Sequence, residues 1–373
     1  MKGKWTARAL GSIAALGALG ALVVASGVVP VKASSGHWAL TEWVLHTAMQ
    51  RSVATHSLTI DVPELDDPAL VLVGAGHYES GCRFCHGAPG SRPPRVPHHM
   101  TPHPPDLSQV ARKYDSAELF YIVLHGIKMT GMPAWPARGR EDEVWAVVAF
   151  LQQLPTLDPA AYAELVFGAE DTRLRPAPRP VGEPIPTETV PSLSTAPTVV
   201  VEQCARCHGI DGLGRGADAF PRLAGQRAEY LEGALDAYAH GKRSSGIMEP
   251  IAATLDLKAI QQAAGWYSRR PAPSWTPGGD PGRSIALRGI PSRRIPACAD
   301  CHGPSKREAH PGYPLLGGQS RAYLVRQLQL FTNGQRGGTQ YAHIMREAVT
   351  EHDLRPKEME AVAQYYAGLP GSP

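Results

Sequence analysis

All six cysteines of this 373-residue chain fall within three copies of one pentapeptide: Cys82-Arg83-Phe84-Cys85-His86, Cys204-Ala205-Arg206-Cys207-His208 and Cys298-Ala299-Asp300-Cys301-His302. Two thiols three residues apart occupy neighbouring positions of one helical turn, where both can add to the vinyl groups of a protoporphyrin. The adjacent imidazole then lies under the iron and supplies one axial nitrogen. Other uses of cysteine fit less well. Disulfides do not require a histidine after every second cysteine, and a thioredoxin-like pair needs a βαβ setting. A zinc ribbon wants two Cys-x-x-Cys pairs about 15–20 residues apart, whereas the first cysteines of these copies are separated by 122 and 94 residues. The pattern predicts three covalently bound haem c groups on Cys82, Cys85, Cys204, Cys207, Cys298 and Cys301, with iron on His86, His208 and His302.

An iron with one histidine has an open face, and the group that fills it separates electron transfer from chemistry. A thioether stabilises ferrous iron and blocks exogenous ligands. Of the eight methionines, Met132, Met248 and Met345 follow their motif histidines by 46, 40 and 43 residues. Any one methionine alone would be read as core filler, but recurrence at similar spacing favours ligation. Met132 sits in Thr130-Gly131-Met132-Pro133-Ala134-Trp135, where Pro133 fixes the backbone and Trp135 could pack on a porphyrin. Met129 is the second choice in that segment, and His343 is an alternative ligand for the third iron. Met100 follows His86 by only 14 residues, a short excursion to the opposite face, while His125 and His240 read as helix ends.

The elements that must position these groups are small. Glycine (38) and proline (35) are plentiful and charged residues are 19%, which speaks for loop-rich units joined by stiff connectors and against one large sheet. A balance of 37 basic to 34 acidic residues, without a basic run, gives no reason to expect nucleic acid. The expected organisation is a juxtamembrane helix at 34–60, a first unit at 61–154, a proline-rich spacer at 155–198, a second unit at 199–270, a short linker at 271–281 and a third unit at 282–373. The second and third units repeat each other: Pro221-Arg222-Leu223-Ala224-Gly225-Gln226 matches Pro314-Leu315-Leu316-Gly317-Gly318-Gln319. Each hexamer leads to a helical pattern with Tyr230 or Tyr323 and then to Arg243 or Arg336. The acidic runs Asp66-Asp67 and Glu141-Asp142-Glu143 read as solvated faces, and the run Pro97 to His103 as a solvated loop.

At the N-terminus Lys2, Lys4 and Arg8 precede a charge-free stretch from Ala9 to Val29. Helical, its 21 residues would span about 31 Å, close to a bilayer's hydrocarbon core. Residues 1–33 are expected to be a transmembrane anchor, basic end in the cytoplasm. The alternative is a signal peptide cleaved after Val31-Lys32-Ala33, leaving a soluble periplasmic protein.

Together these features resemble class I cytochromes c over nearly the whole chain beyond the anchor. Units two and three are similar to the two halves of the cytochrome c4 family through the Pro-x-Leu-(Ala/Gly)-Gly-Gln segments and the methionine loops. Unit one is similar to haem domains of cbb3-oxidase subunit III through His125-Gly126-Ile127 and Thr130 to Trp135. The resemblance implies an all-α fold of three tandem cytochrome c domains, His/Met ligation and electron transfer, without catalysis by the chain itself. In such folds Tyr230, Arg243, Tyr323 and Arg336 would lie near the haem propionates. The implied protein is a trihaem carrier at the periplasmic face of a bacterial inner membrane. Its donor and acceptor would be redox proteins such as a dehydrogenase, a quinol-oxidising complex or a terminal oxidase. A haem peroxidase or reductase is the competing reading, and needs an iron with a free position.

Overall fold

Helices supply the regular structure, and no strand occurs among the described residues beyond the isolated bridge between Ile290 and Ile295. The computed structural model describes residues 2–91, 94–168, 196–216, 218–272, 282–305 and 309–369. Helix α1 (Lys2–Ala25) carries the apolar N-terminal run, with Leu10, Ile13, Leu16 and Leu22 exposed. No helix among the described residues is long and apolar enough to cross a membrane. The expected transmembrane helix is thus not supported; Gly11, Ser12, Gly17 and Gly20 dilute the run. Helix α2 (Ala39–Ser57), expected beside a bilayer, docks instead at its C-terminal end on the first unit. Val53 and Ser57 are buried there, and His56 stacks on Tyr121 with ring centres 5.5 Å apart.

The first unit is built on α3 (Pro68–His77), α4 (Arg83–His86), α5 (Ser116–His125), α6 (Glu141–Gln153) and α7 (Pro159–Phe167). Asp67 starts α3 by accepting the Ala69 N–H at 2.8 Å, with Pro68 at the first helical position, where its missing donor costs nothing. Asp115 and Glu118 form a reciprocal capping box at the start of α5. Helices α3 and α6 cross closely because residue 74 is glycine: a Cβ there would come within 2.0 Å of the Ala146 carbonyl oxygen. Tyr78, Val144, Val147, Val148, Phe150 and Leu154 fill the shared core.

Helix α7 corrects the expected spacer at its start. Proline predicts extended chain, but Pro159 sits at the first helical position and Asp158 caps it, accepting the Ala161 N–H at 2.7 Å. Tyr162 and Val166 then bury themselves in the first unit's core. The rest of the spacer, 169–195, and linker residues 273–281 lie outside the described residues.

The second unit holds α8 (Ala205–His208), α9 (Ala228–Ala239), α10 (Met248–Ala252) and α11 (Leu257–Ser268). The third holds α12 (Arg283–Arg288), α13 (Ala299–His302), α14 (Arg321–Thr332), α15 (Ala342–Arg346) and α16 (Pro356–Ala367). Each has its own apolar cluster, around Tyr230, Leu231 and Tyr267 in one and around Leu324, Val362 and Tyr366 in the other.

The repeated hexamers bind each other across the boundary between these two units. Gln226 donates to the Leu315 carbonyl at 3.0 Å and accepts the Leu315 N–H at 2.9 Å. Gln319 donates to the Arg222 carbonyl at 2.9 Å and accepts the Arg222 N–H at 3.0 Å. Sequence repetition has become a reciprocal contact, in which each glutamine completes the other unit's backbone.

Candidate functional site

Each Cys-x-x-Cys-His copy forms one helical turn, α4, α8 or α13, that the following glycine closes. Gly87, Gly209 and Gly303 adopt φ of 74°, 75° and 73°, the left-handed region that a side chain would strain. A π turn leads into the first two copies, Tyr78–Cys82 and Val200–Cys204, an extra residue per turn that re-aims the first cysteine. The six thiols are free, with no disulfide among them. Burial pushes Cys82 and Cys204 up to about 12 and Cys298 up to about 11. No group of three or more His, Cys, Asp or Glu that could hold a metal ion occurs among the described residues.

The three motif histidines share one arrangement. His86 Nδ1 lies 2.9 Å from the Pro105 carbonyl oxygen, His208 Nδ1 2.9 Å from that of Pro221, and His302 Nδ1 2.8 Å from that of Pro314. A carbonyl can only accept, so Nδ1 carries the proton and Nε2 keeps its lone pair for a metal. Burial, helped by the charges of Arg336 and Arg227, pushes His302 down to about 4 against the lift from Pro314. Burial likewise lowers His86 and His208. All three imidazoles are therefore neutral at physiological pH, the form that ligates.

The third site shows what faces that lone pair: His302 Nε2 lies 3.4 Å from Met345 Sδ. His302 and Met345 lie in an open cleft of about 1160 Å³ with Cys298, Cys301, Leu324 and Phe331. Its lining is mostly apolar, and the thiols, imidazole and thioether required for haem c converge there beside Tyr230, Gln327, Arg336 and Tyr341. The residues present fit that group.

At the other two sites Met132 lies in a loop and Met248 at a helix start, each with defined backbone support. Met132 N–H donates to Thr130 Oγ1 at 3.1 Å, and the Met132 carbonyl accepts from Ile127 N–H. Met248 opens α10, its N–H donating to Ser245 Oγ at 3.0 Å. Met129 is 89% exposed with φ of 61°, so it points away from the packed interior. His343, the alternative on the third iron, is exposed while Met345 packs against a core cluster.

Trp135 and the Tyr/Arg set make contacts between units, and Tyr230 and Arg336 also line the cleft of the third site. Trp135 packs on His77, ring centres 4.6 Å apart, and against Gly246 of the second unit. The Tyr/Arg set pairs crosswise between units: Arg243 donates to Tyr323 Oη at 2.9 Å and to Gln327 Oε1 at 3.0 Å, and Arg336 donates to Tyr230 Oη at 2.8 Å. Sequence reading missed the three proline carbonyls and the three closing glycines. Pro221 and Pro314 open the repeated hexamers and Gly follows every motif histidine, so both signals stood in the sequence. Pro105 shares no such context.

Comparison with known proteins agrees with this geometry. The cytochrome c family matches residues 195–270 and 295–369, and the family described as cytochrome c oxidase, cbb3-type, subunit III matches 69–151. A thiosulfate dehydrogenase electron acceptor from Stutzerimonas stutzeri (strain A1501) is 38% identical over 175 residues, 44% of this chain and 78% of the relative. Its counterpart from Thiomonas intermedia (strain K12) is 35% identical over 176 residues, 46% of this chain and 80% of the relative. Cytochrome c4 from Pseudomonas aeruginosa PAO1 is 31% identical over 172 residues, 44% of this chain and 83% of the relative. Neutral, carbonyl-anchored imidazoles after paired cysteines, on an all-helical fold with these relatives, are what an electron-carrying haem protein requires, and the chain belongs to the class I c-type cytochromes.

Proposed function

We propose that this chain is a trihaem electron carrier. In this reading the six cysteines fasten three haem c groups, His86, His208 and His302 bind iron on one side, and Met132, Met248 and Met345 bind it on the other. The observation that carries it is the third site, where a tautomer-locked His302 faces Met345 Sδ across 3.4 Å. Haem c, when bound, supplies a one-electron iron couple. The residues of the chain hold each imidazole neutral and oriented, surround it with apolar side chains, and close the opposite side with a thioether. Nothing in that set needs to move a proton. Such a site passes electrons and refuses small ligands.

The relatives named as thiosulfate dehydrogenase electron acceptors support a periplasmic dehydrogenase of that kind as donor. The cbb3-type match over the first unit supports a terminal oxidase as the outlet. This reading places the helical units in the periplasm with α1 removed as a leader, which N-terminal sequencing of the mature protein checks. The function itself is tested by rapid anaerobic mixing of the oxidised protein with thiosulfate dehydrogenase and thiosulfate. Reduction of the whole haem absorbance is expected. Failure to reduce, or rapid carbon monoxide binding by the reduced protein, would overturn the reading.

A further inference from the structure

The acidic run at the start of α6 does not form the solvated face its charge suggests. Glu143 is 5% exposed and sends its carboxylate into the second unit. One oxygen accepts from Ser245 Oγ at 2.6 Å and the other from the Gly246 N–H at 2.6 Å. Ser245 Oγ in turn accepts the N–H groups of Met248 at 3.0 Å and Ile247 at 3.3 Å. Arg140, also buried, pairs with Glu143 at 2.7 Å and donates to the Ser244 carbonyl. Ile247 packs against the first unit's core. Trp135 crowds Gly246 so closely that a Cβ there would lie 2.3 Å from its Nε1.

Every residue from Ser244 to Met248 is thus held, directly or through Ser245, by a side chain of the first unit. The stretch before Met345 receives no carboxylate from another unit among the described residues. A buried carboxylate with two short donors is a stiff anchor, because releasing either leaves an unsatisfied charge in a dry interior.

We infer that Glu143, braced by Arg140, is a positioning residue for the axial ligand of the second haem site. The first unit then sets how firmly Met248 is presented opposite His208, so one unit controls ligand retention in the next. This rests on the proposed ligation by Met248, and the experiment separates the two claims.

In the full-length holoprotein, M248H identifies the second haem by removing one upfield methionine-methyl NMR resonance of the ferrous state. E143A should then shift that same resonance and speed imidazole entry at one ferric haem by about tenfold or more, the worth of a charge-assisted hydrogen bond. E143Q keeps the side chain's length but sets an amide donor against Arg140 and Ser245 or against the Gly246 N–H, so it should move the same resonance and rate in the same direction as E143A. The other two haems should not respond. If M248H removes no resonance, the ligand assignment falls and the inference with it. If M248H behaves as expected but E143A leaves that resonance and rate unchanged, or alters all three haems alike, the positioning role is overturned while the ligation stands.

Discussion

A buried hydroxyl that satisfies a carbonyl can be told from one that does not. Tyr78 Oη donates to the Gly87 carbonyl at 2.9 Å, and Tyr267 Oη to the Gly209 carbonyl at 2.9 Å. Both carbonyls belong to the glycine that closes the motif turn, so each tyrosine pins the backbone just behind a motif histidine. Tyr366 occupies the corresponding helix of the third unit, but its buried Oη has no partner among the described residues. Tyr267→Phe should cost about 1.5 kcal/mol of stability by orphaning a buried carbonyl, and Tyr366→Phe close to nothing. Thermal unfolding of the two variants checks the contrast; equal losses would contradict it. The motif turns were legible from cysteine spacing alone. The tyrosines were not, because Tyr78 precedes its motif by a few residues while Tyr267 lies on a helix far along the chain, and only folding brings them to equivalent carbonyls.

At the scale of elements, α3 does more than close the first unit. Gly76 lets it approach the second unit so closely that a Cβ would meet Cys207 Sγ at 3.3 Å and Phe220 at 3.1 Å. His77 beside it is buried against Trp135, and burial, with the Arg206 charge, pushes it down to about 4 from the ordinary 6.5. A histidine held neutral by folding contributes stability that is present above pH 6.5 and lost as pH falls toward 4, because the unfolded chain takes up the proton first. The full span is worth about 3 kcal/mol. Urea unfolding at neutral pH and near the acid end of this window should show that loss, and His77→Gln should flatten it. A wild-type slope in the variant would assign the acid sensitivity elsewhere. Part of α5 was legible at His125, read as a helix end and observed as the last residue of that helix, whereas the capping box of Asp115 and Glu118 was not read. Where proline dominates, the reading went astray: Pro159 looked like a breaker until Asp158 made it a helix start. The buried role of Glu143 was likewise invisible, since a carboxylate in a run of three reads as surface until its partners arrive from another unit.

Across the whole molecule, three helical units share their boundaries through side chains aimed at backbone. Duplication of the second and third units was legible in the hexamers, and the structure gives those hexamers their purpose in the paired contacts of Gln226 and Gln319. Gln226→Ala and Gln319→Ala should each weaken the contact by about 1–2 kcal/mol, and the double variant should uncouple the units. Calorimetry would then resolve two transitions where the parent shows one for this pair; a single unshifted transition would contradict the prediction. The cross-unit pairs Arg243–Tyr323 and Arg336–Tyr230 strengthen the same boundary with part-buried, charge-assisted bonds.

Electron transfer rather than small-molecule chemistry requires that no iron keep a free coordination position, which the proposed histidine and methionine ligands would fill. Low-temperature electron paramagnetic resonance of the fully oxidised protein tests that requirement most directly. Three low-spin ferric signals are expected, one for each Cys-x-x-Cys-His copy, with no high-spin component. A high-spin signal, or an integrated intensity amounting to fewer irons than motifs, would contradict the account.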